Sequence, residues 1–287
     1  MTWDMWDRMW DMKLLLVGLD ALDIDYFSST DLPAFKALRE SSQWGTLHTE
    51  ELWSGPNWTT LFTGLTKEHH GVIDSLGRPF GGSEWIGSRP HDYLWDTLHE
   101  AGLTVGVLNF PACYVARYIG DGSWMIGGWP GPPSAAPARK LPQDFYTDLP
   151  DYAERGPLLA RRPKGATPGW AIHEVPWKEY LEWAAHNYAV EIELAQSMPQ
   201  TDVLMIQCSV LDRAGHMLST PNKGRKGASD PRYSKALEFA DYFLGRCLEQ
   251  WPAEYTALVS DHGYRGQKHS HFGTWAMRGP DVLQCRN

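Results

Sequence analysis

Cysteine is scarce in this chain. Four residues, at 113, 208, 247 and 285, are scattered through 287 positions with no CxxC pair. They read as reduced core or surface thiols and fit a cytosolic compartment. Positive charge is also in deficit: 26 Lys and Arg stand against 35 Asp and Glu, a net charge of −9. A protein that holds nucleic acid nonspecifically needs a basic face, and this balance argues against one. An anionic small substrate stays open, because bound metal ions can supply local positive charge. Long apolar runs are missing as well. Nothing reaches the ~18 residues of a membrane span, and KLLLVGL (13–19) is too short for a signal-peptide core and follows acids rather than basic residues. The expectation is a cytoplasmic chain with no membrane partner.

Tryptophan, by contrast, is plentiful, with 15 residues. Several lie in MTWDMWDRMWDM (1–12), which alternates acids with Trp and Met and offers no strand or helix cap. It reads as an appended extension, with Met12 an alternative start, ahead of one domain over 13–287.

Within that domain, KLLLVGLD (13–20), LTVGVLNFP (103–111), TDVLMIQCSVLD (201–212) and YTALVSDHG (255–263) read as buried strands. DYLWDTLHEAG (92–102), WKEYLEWAAHNYAVEIELAQSM (177–198) and PRYSKALEFADYFLGRCLEQ (231–250) carry apolar residues at helical spacing. Strands alternating with helices predict an α/β fold with a mainly parallel central sheet flanked by helices. Residues 121–176 are dense in Pro, Gly, Arg and Lys and predict an irregular lid insertion with no helix or central strand, in which Trp124, Trp129, Phe145 and Trp170 seek burial.

Three predicted strands end in an acid, Asp20, Asp212 and Asp261, and such sheets bind ligands beyond their strand carboxyl ends. Imidazoles accompany the acids: His216 stands four residues after Asp212, His262 follows Asp261, and KHSHFG supplies His269 and His271. Mixed N and O donors suit Zn²⁺, with Mn²⁺ also possible. The hydroxyl of Ser54 opens SGPNWTTLFTG (54–64), a helix-like run. It is either a helix N-cap or a nucleophile at a helix N-terminus. Two cations could hold the attacking and leaving oxygens of an in-line phosphoryl displacement.

LLLVGLDAL, SGPNWTTLFTG with EHHGV, YLWDTLHEAGLTVGVLNFP, LDRAGH, LVSDHGY and HSHFGTWAMRGP occur here in one order. That order resembles the type I phosphodiesterase/nucleotide pyrophosphatase family of the alkaline phosphatase superfamily, over about residues 13–282. The resemblance implies an alkaline phosphatase-like fold and two divalent metals. It implies Ser54 as a nucleophile that also touches a metal with Asp20, Asp261 and His262, and Asp212, His216 and His269 around the second metal. His269 matches the last ligand four residues before Gly273, with His271 its competitor. Asn57 matches a donor to a phosphoryl oxygen, and Gly55 stands where many relatives carry a bulkier residue. Arg161, Arg162 and Lys164 are candidate contacts for the leaving group.

The implied activity is hydrolysis of phosphodiester or nucleotide pyrophosphate bonds in a small phosphate-ester or nucleotide substrate through a covalent Ser54 intermediate. A phosphomonoesterase and a catalytically silent metal- or nucleotide-binding protein are the alternatives. The lack of a C/S-x-P-x-R motif sets a sulfatase aside. His70, in EHHG, reads as structural, Asp23 and Asp25 as loop or cap acids, and NKGRKG (222–227) as a solvated loop or a phosphate contact.

Overall fold

A computed structural model of the chain describes residues 12–73, 92–111, 118–126, 177–219 and 226–282. The Trp-rich segment up to residue 11 and the insertion from 127 to 176, with Arg161, Arg162 and Lys164, lie outside the described residues, as do 222–225 of the basic run and Cys113 and Cys285.

The apolar run MKLLLVGL forms β1 (Met12–Leu19), with Leu15, Val17 and Leu19 wholly buried. Helices α1 (Ile24–Ser29) and α2 (Pro33–Ser41) lead to β2 (Gln43–His48), and then α3 (Ser54–Thr63) and α4 (Lys67–His70) follow. Next come α5 (Leu94–Glu100), β3 (Val105–Leu108) and β4 (Trp124–Ile126). The long helix α6 (Trp177–Ser197) precedes β5 (Val203–Cys208), α7 (Val210–Leu218) and α8 (Tyr233–Gln250). Strands β6 (Ala253–Val259), β7 (Gly263–Arg265), β8 (Lys268–Ser270) and β9 (Phe272–Arg278) close the described chain.

Seven strands make one sheet in the order β2-β9-β6-β1-β5-β3-β4. β6, β1, β5, β3 and β4 run parallel, and β9 pairs antiparallel with both β6 and β2. The mainly parallel sheet flanked by helices is therefore as the sequence predicts. β1 sits in the middle, and the acids that follow β1, β5 and β6 share one edge of the sheet, as the crossover rule for parallel strands requires. α8 buries Tyr233, Ala236, Leu237, Ala240, Phe243, Leu244 and Cys247, the i, i+3, i+4 pattern of a helix with one apolar face. That face packs toward α7, α2 and α6.

Four sequence expectations need correction. The strand read over 201–212 stops at Cys208, and Asp212 lies in the first turn of α7. SVLD continues the apolar run, so hydrophobicity alone could not mark where strand passes into helix. Likewise Asp261 lies two residues beyond β6. Within the predicted insertion, Trp124–Ile126 is a strand parallel to β3. The proline-dense stretch begins only at Pro130, and Trp124 is buried with its indole N–H donated to the Pro199 carbonyl (3.0 Å). Finally, Met12 belongs to β1 rather than to the extension.

Candidate active site

The cluster is assembled from four places at the carboxyl edge of the sheet: the turn after β1, the start of α3, helix α7, and the loop after β6 with its hairpin. Asp20 directly follows β1, and the next residue, Ala21, has φ 65°, an uncommon conformation for a residue with a side chain. Two hydrogen bonds hold that bend against the loop after β6: Leu22 N–H donates to Ser260 Oγ (2.8 Å) and Ala21 N–H to Asp261 Oδ1 (3.3 Å). Asp20 and Asp261 are thereby brought together from opposite ends of the sequence.

Ser54 arrives on α3. It is the first residue of the helix, and Trp53 is the cap, without a side-chain capping bond. Ser54 is therefore not the N-cap that one reading of the sequence allowed. α3 is seated on β1 through Trp58, whose ring lies against Gly18. A Cβ at Gly18 would lie 2.6 Å from Phe110 Cε1 and 2.9 Å from Trp58. This close approach sets Ser54 Oγ 3.3 Å from Asp20 Oδ1 and 3.1 Å from His262 Nε2.

His262 Nε2 also lies 3.6 Å from Asp20 Oδ1 and 3.4 Å from Asp261 Oδ2. On the neighbouring side, Asp212 Oδ1 lies 3.3 Å from His216 Nε2 and 3.0 Å from His269 Nε2, and those two nitrogens are 2.9 Å apart. The rings of His262 and His269 stack at 4.2 Å. The i, i+4 spacing of Asp212 and His216 works as the sequence implies, because both project from one face of α7. Two metal-competent groups result, Asp20 with Asp261 and His262, and Asp212 with His262 and His269. Within each, the donor atoms lie within 4.8 Å of one another. His216 extends the second group, and His262 borders both.

The chemistry of this donor set fits cations. The Nδ1 atoms of His262 and His269 face the carbonyls of Gly263 (3.1 Å) and Leu52, so both Nδ1 carry hydrogen and turn the Nε2 lone pairs inward. Asp261 Oδ2 is buried without a hydrogen-bond donor, and Asp212 Oδ1 is met only by the imidazole nitrogens of His216 and His269. Burial, reinforced by the Asp261 and Asp212 charges, raises the Asp20 carboxyl well above its usual range. Burial would raise Asp212 too, but the His216 and His269 imidazoles outweigh it and hold that carboxyl well below its ordinary value. Burial lowers His262 against the pull of Asp261. For His269, burial works downward, and the hydrogen bond and charge of Asp212 overcome it and raise the ring. Crowded carboxylates and inward lone pairs are what cations would relieve.

Asn57 lies one turn into α3, and its side chain is engaged by the preceding loop. Its Nδ2 donates to the Glu51 carbonyl (3.0 Å) and its Oδ1 accepts from Thr49 Oγ1 (2.6 Å). His271 stays outside the cluster, with Nδ1 donating to the Thr49 carbonyl (2.7 Å) and its ring stacked on His48. His70 is structural: Val72 N–H donates to its Nδ1 and its Nε2 meets Thr60 Oγ1, both at 3.0 Å. Sequence reasoning missed Gln207, whose Nε2 donates to Asp20 Oδ2 (3.3 Å). It is the lone polar side chain in the buried strand VLMIQC, and that was the available signal.

The family model described as type I phosphodiesterase/nucleotide pyrophosphatase matches residues 14–274. The chain belongs to that family. The matched span contains every residue of the cluster. No curated protein matches the chain. Among solved structures, the chain is similar to murine ectonucleotide pyrophosphatase/phosphodiesterase 5, as an inactive variant in complex with AMP. The TM-score is 0.52 at 17% identity, covering 88% of this chain and 57% of that one. Phosphonoacetate hydrolase from Sinorhizobium meliloti 1021, in complex with phosphonoformate, gives a TM-score of 0.54 at 16% identity, covering 89% and 57%. At these identities the likeness is one of fold, and it is of the alkaline phosphatase-like kind that the sequence resemblance implied. This chain spans little more than half the length of either structure.

Proposed function

We propose that this family member hydrolyses phosphodiester or nucleotide pyrophosphate bonds of small substrates, with Ser54 as nucleophile and two divalent cations, zinc in first place, as cofactors. The observation that carries this reading is the position of Ser54 Oγ. It is buried at the first turn of α3, 3.1 Å from His262 Nε2 and 3.3 Å from Asp20 Oδ1. Asp20, Asp261, His262 and Ser54 would hold one cation and Asp212, His216 and His269 the other. Cations there would neutralise phosphoryl charge and lower the pKa of the attacking hydroxyl.

The chain's own groups supply the rest. The Ser54 hydroxyl has two acceptors within reach, His262 Nε2 and Asp20 Oδ1. The Ser54 proton is lost to solvent, and the new bond joins Oγ to phosphorus as the bond from phosphorus to the leaving oxygen breaks. That oxygen takes a proton from water. A further water then breaks the Oγ–P bond, releasing the phosphoryl or nucleotidyl group and returning a proton to Oγ. The positive end of α3 lies at this point and favours the anionic group. Asn57, fixed by Thr49 and Glu51, stands one turn on as the donor to a phosphoryl oxygen.

The AMP and phosphonoformate complexes of the two similar structures agree with a small phosphorus-bearing ligand. The test is Ser54→Ala and Ser54→Thr, each assayed with an aryl phosphodiester and an aryl phosphomonoester, together with acid-quench mass spectrometry of the wild type. Ala should lower turnover roughly 10³-fold or more while Thr keeps measurable activity. Since Ser54 caps nothing, the Ala variant should lose less than the ~1 kcal/mol of a removed cap. Near-normal turnover by the Ala variant, or no adduct on the Ser54 peptide, would remove the covalent step.

A further inference from the structure

Two candidate ligands belong to one small hairpin: His262 directly precedes β7, and His269 is the middle residue of β8, paired with Tyr264. β7 and β8 pair only with each other among the described residues, in a two-stranded sheet apart from the main one. The hairpin's own ladder cannot fix its place, so the contacts it makes sideways must. One set holds it to α7. The Tyr264 ring lies against Gly215, where a Cβ would come within 2.7 Å of it, and Tyr264 Oη meets Ser219 Oγ at 2.9 Å. That set ties the hairpin to the helix of Asp212 and His216.

The other set centres on a buried carboxylate, Asp23, three residues after Asp20, with the exposed Asp25 carboxylate 3.1 Å from Arg265 Nη2 beside it. Arg265 of β7 donates to it twice, through Nε (2.7 Å) and Nη2 (2.8 Å), and Ser270 of β8 donates through Oγ. A fourth donor is the Asp25 N–H (3.0 Å), which makes Asp23 the cap of α1. Gly263 leaves room for the approach, since a Cβ there would meet Asp23 Oδ2 at 2.3 Å and Ser270 Oγ at 2.4 Å. The guanidinium also lies 5.0 Å over the Phe272 ring.

We propose that the Asp23–Arg265–Ser270 clamp is a positioning device for the metal centre. It locks the hairpin that carries His262 and His269 to the loop that carries Asp20, and so sets the spacing between the two ligand groups. The proposal rests on reading the cluster as a metal centre. The physical argument is one of direction. Burying a carboxylate with a guanidinium adds little net stability compared with apolar packing of the same volume. A forked two-point bond does fix the orientation of the strand that carries it. Asp23, Arg265 and Ser270 act through the ligands rather than on substrate.

The experiment compares Arg265→Met, Arg265→Lys, Asp23→Asn and the double variant Asp23→Asn/Arg265→Met with the wild-type protein. Zinc affinity is measured by competition with a chromogenic chelator, and amide hydrogen exchange is followed in the metal-free protein. Asp241→Asn, which turns the carboxylate acceptor of Phe35 N–H at the contact of α8 with α2 into a weaker amide acceptor, controls for general destabilisation. Arg265→Met and Asp23→Asn should each weaken zinc binding by roughly tenfold or more, Arg265→Lys by less, and Asp241→Asn not at all. The double variant should bind within about threefold of the weaker single, because the two residues act as one unit. Exchange should quicken over 263–270 and stay unchanged in β1, β5 and β6.

Folded variants with wild-type zinc affinity would overturn the proposal. If the wild type itself takes up no zinc, the metal-centre reading fails. Exchange then decides the clamp alone: unchanged protection of 263–270 in Arg265→Met, or in the milder Arg265→Lys if Met does not fold, overturns it.

Discussion

Two histidines two residues apart do different work. His269 turns Nε2 toward Asp212 and His216, while His271 turns away to the Thr49 carbonyl. His269→Ala should therefore lose bound metal and activity together. His271→Ala should keep its metal and chiefly raise KM, because its contact reaches substrate only through Thr49 and Asn57. Metal analysis beside steady-state kinetics checks both, and metal loss confined to the His271 variant would reverse the assignment. Glu191 offers a test unconnected with catalysis. It is buried on α6, with its oxygens 3.3 Å from Asn109 Nδ2, and burial outweighs the nearby Arg213 charge to raise its carboxyl well above the ordinary value. A carboxyl raised in the fold keeps a proton that the unfolded chain has released. Its stability contribution is therefore lost as pH climbs out of the ordinary carboxylate range toward the folded pKa. Glu191→Gln keeps an oxygen for Asn109 and removes that loss. Its Tm should exceed the wild type's by roughly 2–4 °C at pH 8 and match it near pH 4.5, as melting curves at the two pH values would show.

At the level of elements, α3 depends on β1 having no side chain at Gly18. Gly18→Ala would drive a methyl group into Phe110 and Trp58, costing about 1–3 kcal/mol and tilting the helix that carries Ser54. Turnover should fall along with Tm, whereas a substitution that only unsettled the core would leave the kcat of the folded fraction unchanged. The same elements show what the sequence could and could not reveal. β1 and β5 are buried on both faces, so their apolar runs stand out. β2 alternates half-buried and exposed residues at the sheet edge, and β7 and β8 are three residues each, too short for any period to register. The residues of the donor cluster could be picked out because acids and imidazoles recur just past the strands and at i, i+4 spacing. Gln207 and the Asp23–Arg265 pair could not. Hydrogen bonds between residues 187 and 242 positions apart leave no local pattern.

For the whole molecule, we propose that metal held by the clustered donors is a part of stability. Protein purified with two divalent cations per chain should lose activity to a chelator, and its Tm should fall, since a ligand bound only by the native state stabilises it. Atomic absorption and melting curves with and without chelator test this, and active protein holding less than one metal per chain would refute it. The central place of β1 reaches further, into how the chain is made. β1 leaves the ribosome well before its partners β5 and β6, which follow about 190 and 240 residues later, and pairing so distant in sequence is slow. Until then an apolar strand waits with both edges open, the kind of surface that aggregates or recruits a holding chaperone. Asp20 meets Asp261 and His262 only after β6 has been made. On the proposed reading, cations have no complete pair of sites to enter on the growing chain, and a chain stalled before β6 would carry four of the seven proposed ligands and an incomplete sheet.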